Sequence, residues 1–130
     1  MNSKMHMDII TRQKLNLLIQ LAKADKHFAR EEKLLIKDIA GKHGFPESEL
    51  NKLFVIPDTI ESFGALSPDK KKEYLLDCMA LIMADGKIEP REVTFAQNIA
   101  LKLGFHKDVV NYLLDNWDKV DQFDLTPWKV

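Results

Sequence analysis

The chain has 130 residues, 45% of them apolar and 30% charged, which is enough to fill one hydrophobic core and too little for a multidomain enzyme. Nineteen Lys and Arg stand against twenty Asp and Glu, so the net charge of −1 gives no basic excess to draw the chain onto nucleic acid or anionic lipid. The single cysteine, Cys78, has no internal disulfide partner, and no Cys/His cluster has thiolate-type metal spacing, so a reducing, cytoplasmic setting is expected.

From the N-terminus, charges at Lys4, Asp8, Arg12, Lys14, Lys23 and Asp25 and the polar breaks Asn16 and Gln20 fit neither a signal peptide nor a membrane span. Leu17, Leu18 and Leu21 predict a first helix ending near Asp25. Glu32, Leu35, Ile36, Ile39 and Ala40 predict a second that stops at Gly44, and Leu50, Leu53 and Phe54 a short third. Residues 55–66, with Pro57 and Gly64, read as a connector. Ser67-Pro68 opens the fourth helix as N-cap and first residue. That helix is apolar from Tyr74 to Ala84 except for Asp77, a pattern expected of a centrally buried helix. Gly86 follows its end, and Pro90 suits the first turn of the fifth helix. Glu92, Phe95, Ala96, Ile99, Ala100 and Leu103 form the fifth helix's stripe, which stops at Gly104. Val109, Val110, Leu113, Leu114 and Trp117 mark the sixth.

Shifting the chain by 60 positions lays residues 24–45 on 84–105 without a gap and gives eight identities in 22 positions. Ala24-Asp25 meets Ala84-Asp85, Glu32 meets Glu92, Ile39-Ala40 meets Ile99-Ala100, Lys42 meets Lys102, and Gly44-Phe45 meets Gly104-Phe105. The expected architecture is therefore one all-α domain over 1–130, a compact bundle of about six helices built from two pseudo-twofold three-helix repeats. Repeat one covers about 8–54, the connector 55–66, repeat two about 67–118 and the tail 119–130.

The chemically suggestive residues are Asp25, Glu32, Asp85 and Glu92, because carboxylates on apolar stripes are costly to bury without partners. An Asp in the last turn of a helix opposes the macrodipole and calls for a hydrogen bond or a cation. With helices beginning near Ala29 and Glu89, Glu32 and Glu92 fall where a carboxylate reaches back to orphan N–H groups, as half of a capping box. The favoured expectation is that each Asp holds its loop and each Glu caps its helix. The functional alternative is a divalent cation, Mg²⁺ or Ca²⁺, held by hard oxygen ligands. An EF-hand is excluded: with Asp85, Gly86, Ile88 and Glu92 at loop positions five, six, eight and twelve, positions one and three are Leu81 and Met83. In the first copy those positions are Leu21 and Lys23, with Lys26 in place of the glycine.

The run Ala84-Asp85-Gly86-Lys87-Ile88-Glu89-Pro90-Arg91-Glu92, followed by Ile99-Ala100 and Gly104-Phe105, resembles the TerB-like tellurite-resistance family. The first copy resembles it more loosely, and the likeness spans about residues 15–118. The resemblance implies an all-α bundle with pseudo-twofold halves, a cytoplasmic location, no catalysis, and a protein partner in stress-response or membrane-linked complexes without membrane insertion. Carried over by position, its metal-associated acidic residues are Asp25 and Glu32, then Asp85 and Glu92. Lys26 departs from the glycine of the pattern and weakens the first copy as a cation site. The chain has no His-Pro-Asp tripeptide, so the Hsp70-stimulating role of relatives with a J domain is not expected.

Two other classes share some of these features. Ala40, Gly44 and Leu50, and again Ala100, Gly104 and Val110, match the mask of DNA-binding helix-turn-helix regulators, but the helices that follow carry too little positive charge for phosphate contacts. A carboxylate-based metal-dependent hydrolase would need more ligands, such as Glu-x-x-His pairs, than the sequence offers. His6, His27, His43 and His106 read as surface or capping residues, and Cys78 as a small buried hydrophobe. In the tail, Trp128 beside Asp121 and Asp124 offers an aromatic anchor with acidic neighbours for a protein partner, whereas Trp117 is expected to cover the core.

Overall fold

A computed structural model describes residues 2–23, 30–59, 66–83, 86, 88–122 and 124–129, and the side chains of 2–8, 120–122 and 126 lie outside the description. Six α-helices are present among the described residues: α1 (Asn2–Ala22), α2 (Arg30–Lys42), α3 (Glu47–Val55), α4 (Pro68–Ile82), α5 (Pro90–Lys102) and α6 (Val109–Asp115). The all-α bundle is as expected, and no strand occurs among the described residues beyond an isolated bridge between Phe105 and Lys129. No described helix is long and apolar enough to cross a membrane.

The helix limits follow local chemistry. Ser67 caps α4, its hydroxyl accepting from the Lys70 N–H at 3.2 Å, with Pro68 in the first turn. At the far end of α2, the Phe45 N–H donates to the Ala40 carbonyl at 3.0 Å and the Gly44 N–H to the Gly41 carbonyl at 3.1 Å. The end of α5 repeats both bonds sixty residues on, Phe105 to Ala100 at 2.9 Å and Gly104 to Leu101 at 3.0 Å. This is the Schellman arrangement, and it needs a left-handed residue, supplied by Gly44 at φ 68° and Gly104 at φ 88°. The Ala/Gly mask is accounted for by these two helix ends, and the phenylalanine after each glycine turns into the core.

Helix α2 and helix α5 both have 13 residues, start and stop sixty positions apart, and bury the same four apolar positions: Leu35, Ile36, Ile39 and Ala40 in one, Phe95, Ala96, Ile99 and Ala100 in the other. One continuous core takes side chains from all six helices. Its centre differs from expectation. Helix α1 packs against α2, α3, α4 and α5, whereas α4 packs chiefly on α1 and α5. From Leu15 to Ala22 every residue of α1 is buried except the half-exposed Gln20, while Tyr74, Leu76 and Ala80 of α4 stay partly open. Overall hydrophobicity marked α4, but position among neighbours selected α1.

Three boundaries also move. Helix α1 begins at Asn2, ahead of residue 8 where repeat one was expected to start, and no Gly or Pro interrupts it. Helices α1 and α4 stop at Ala22 and Ile82, three residues before Asp25 and Asp85, and the expected placing of those two aspartates falls outside the described residues. The start of the connector, at Asp58, is held against α1. Asn16, only 3% exposed, accepts from the Asp58 N–H at 2.8 Å and donates to the Asp58 carbonyl at 3.0 Å. Gln20 donates to the same carbonyl, and Arg12 holds the Asp58 carboxylate through two bonds of 3.0 and 3.2 Å.

Replacing Gly44 or Gly104 by Ala isolates the backbone contribution, since a Cβ at either site meets nothing within 4 Å. Each substitution is expected to cost about 1–2 kcal/mol in urea unfolding, with Asn at the same site costing less. Equal stability of the Ala variants would remove the left-handed residue as the cause of the helix stop.

Candidate functional site

The acidic positions divide sharply in what surrounds them. Glu92 is 1% exposed at the third position of α5, and its Oε1 accepts from the Glu89 N–H at 2.9 Å, as the capping expectation required. Its Oε2 accepts from Lys42 Nζ at 3.3 Å, a lysine at the last position of α2, fifty residues away. Both carboxylate oxygens are thus engaged by donors. Glu32, the corresponding residue of α2, is half-buried and lies with Asn98, Leu101 and Lys102 around a depression of about 300 Å³. Asp25 and Asp85 lie outside the described residues. No group of three or more His, Cys, Asp or Glu side chains able to hold a metal occurs among the described residues.

Lys102 occupies in α5 the place of Lys42 in α2. Its Nζ donates to the Ala22 carbonyl at the end of α1, at 3.0 Å. Other helix ends are treated alike. His43 Nε2 donates to the Leu81 carbonyl in the last turn of α4 at 2.9 Å, and Lys23 Nζ donates to the Phe54 carbonyl near the end of α3 at 3.1 Å. The last carbonyls of a helix have no partner within it and sit at the negative end of its dipole, so cationic or N–H donors from a neighbouring helix serve them well. The residues that tie the hairpins together are therefore Lys42, Lys102, His43 and Lys23 as much as the carboxylates. The sequence held one signal for them, the identity of Lys42 and Lys102 under the sixty-residue shift, and none for their partners.

Two larger depressions are open among the described residues. The first, about 450 Å³, runs between α2 and α5, with an apolar floor of Leu35 and Phe95, the 47% exposed Leu34 on one wall, and Glu31, Glu32 and Arg91 at its rim. Arg91 is already engaged, to Asp38 at 2.9 Å and to Glu89 at 2.8 Å. The second, about 590 Å³, lies between α1, the connector and α4, with Lys14, Asn16, Asp58, Tyr74 and Asp77 on its walls. Burial pushes the Asp77 carboxyl above its ordinary range; Lys14 opposes the rise and Glu73 adds to it. Sequence reasoning noted Asp77 only as a break in an apolar run.

The remaining candidates are placed as follows. Cys78 is buried, and burial pushes its thiol far up, so it stays a neutral, packed side chain. Trp128 is half-buried against the core, its ring 5.3 Å from that of Tyr112, and its carbonyl accepts from the His106 N–H at 2.7 Å. Leu125 inserts into the core. The tail is thus folded onto α6, with Asp124 exposed and the side chain of Asp121 outside the described ones. His6 and His27 have no described side chain, and His106 is exposed.

No protein-family model, no curated protein and no solved structure matches the chain.

Glu92→Ala removes the acceptor of both the Glu89 N–H and Lys42, and is expected to destabilise the fold by about 1–3 kcal/mol. Millimolar Mg²⁺ or Ca²⁺ should leave the loss unchanged; a metal-dependent rise in Tm in the wild type that Glu92→Ala abolishes would make Glu92 a ligand instead. For Asp77, the folded carboxyl holds its proton more tightly than the unfolded one. Its contribution to stability is then complete below the unfolded pKa, near 4, and is lost as pH rises through the raised folded value. Asp77→Asn should accordingly melt above the wild type at neutral pH, with the gap closing below about pH 4. A wild-type advantage at neutral pH would mean that the attraction of Lys14 outweighs burial.

Proposed function

We propose that the chain is a non-catalytic helical interaction module of the TerB-like kind, which binds a protein partner along the groove between α2 and α5. The observation that carries this reading is the groove itself, an opening of about 450 Å³ with an apolar floor of Leu35 and Phe95 and Leu34 on one wall, where other exposed apolar side chains such as Val55 and Ile56 line no such opening among the described residues. Leu34 on α2 and Leu101 on α5, 47% and 49% exposed, extend the apolar surface along it. Exposed apolar surface collected between two helices is the usual form of a protein docking face.

The chemistry of the other candidate groups supports a binding role over turnover. Cys78 is a buried neutral thiol and His43 directs a ring nitrogen to a helix carbonyl. Of the acidic positions, Glu92 serves as a tie between α2 and α5, so a cation is not needed to account for it. The sixty-residue correspondence of α2 and α5, in length, burial and terminal hydrogen bonds, supports a doubled helical unit. The physiological setting, a stress-response complex, rests on the likeness of residues 84–105 to the TerB-like pattern.

The test is affinity capture from the native host with wild-type and Leu34→Asp protein compared quantitatively. Leu34 is half-exposed, so the charge should leave the melt within about 0.5 kcal/mol of the wild type. Loss of the same specific partners in the variant is expected; partners retained in full would place the docking face elsewhere.

A further inference from the structure

We propose that the occupant of the α2–α5 groove is an amphipathic helix of the partner that carries basic residues beside its apolar face. This rests on the interaction-module reading and specifies the partner's chemistry.

Three observations lead there. The first is shape. Both walls are helices of 13 residues, about 20 Å long at 1.5 Å per residue, and the depression that reaches Leu101 shares Glu32 and Asn98 with the main groove, so one strip runs along the pair. The second is backbone accounting. The walls of the groove offer helix surfaces and no strand edge, so an extended segment laid over Leu35 and Phe95 would find no backbone partner there and would have to keep its N–H and C=O groups turned to water. A helix satisfies its backbone internally and presents only side chains, at i, i+3 or i+4, and i+7.

The third is charge. Of the ionic groups along the strip, Arg91 is held by Asp38 and Glu89 and Lys102 donates to the Ala22 carbonyl, whereas the side chains of Glu31 and Glu32 make no ion pair or hydrogen bond among the described residues. The groove therefore presents the Glu31 and Glu32 carboxylates beside an apolar floor, while Arg30 and Lys33 of the same turn do not line it. A helix with an acidic flank would bring carboxylates against Glu31 and Glu32, while Lys or Arg there gains attraction and a faster encounter.

The probe is a synthetic peptide of about 14 residues, long enough to match the groove. It has Leu at i, i+4, i+7 and i+11 and Lys on the flanking positions, and it is compared with a Glu-flanked version and with one whose Leu order is scrambled. Binding is followed by fluorescence anisotropy at low and high salt, and its location by amide chemical-shift mapping. The basic peptide should bind with shifts concentrated in α2 and α5. Leu34→Asp should abolish binding, and Glu31→Lys with Glu32→Lys should weaken it roughly threefold to tenfold and flatten its salt dependence.

If basic and acidic peptides bind the groove equally, or the double reversal has no effect, the basic helix is wrong while the docking face stands. If neither ordered peptide shifts α2 or α5, or both bind as the scrambled one does, the helical occupant is wrong, and retention of captured partners by Leu34→Asp decides separately whether the docking face fails too. A sedimentation profile showing a dimer that Leu34→Asp dissociates would make a second copy of this chain the occupant and overturn the proposal.

Discussion

A carboxylate sealed from water at the start of α5 must be satisfied within the protein, and that requirement fixes how the two ends of the bundle meet. Glu92 is satisfied by its own helix through the Glu89 N–H and by α2 through Lys42. Removing a buried carboxylate from water costs several kcal/mol unless hydrogen bonds and an opposite charge replace the hydration. The C-terminus of α2 is therefore held at the N-terminus of α5, and the favourable dipole ends of both helices lie close to the charges that suit them. Lys102 gives the other end of α5 a comparable anchor at the last carbonyl of α1.

Those anchors shape the surface between α2 and α5. Their inner stripes, Leu35 to Ala40 and Phe95 to Ala100, enter the common core, and their outer edges stand apart. The Arg91 to Asp38 ion pair spans the gap at its surface. A gap of this kind is where apolar side chains such as Leu34 remain in contact with water, and where a second helix could complete the packing that the fold leaves open. The groove and the hairpin tie belong to one arrangement, in which Lys42 and Glu92 join α2 to α5 at one end of the gap.

The connector shows a different use of buried polarity. Asn16 sits on the face of α1 that would otherwise be continuously apolar, and its amide binds the backbone of Asp58 as a paired strand residue would. With Arg12 on the Asp58 side chain, this single residue docks the segment after α3 onto α1. The arrangement explains why α1, interrupted by Asn16 and Gln20 in sequence, is nonetheless the best-surrounded helix. Its polar breaks are partners for the chain that crosses it.

The sequence by itself determined the helical class, the stripes that enter the core and the ends of α2 and α5. All depend on contacts within a few residues: hydrogen bonds to the fourth residue back, apolar spacing of three and four, and a glycine able to turn left-handed before a phenylalanine. Glu92 as a cap was legible for the same reason, since its acceptor role concerns a donor three residues away. What only the tertiary structure decided are pairings across long separations: Lys42 with Glu92, Lys102 with Ala22, Asn16 with Asp58, and the groove between helices sixty positions apart. Apolar burial, which drives the helices together, is non-directional and proportional to area, so it marks which side chains go inside without saying which helix takes the centre or which lysine meets which acid. The choice of α1 over α4 as the central helix, and of Trp128 as a side chain packed on Tyr112, follows from shape and charge matched in three dimensions, for which a linear pattern holds no coordinate.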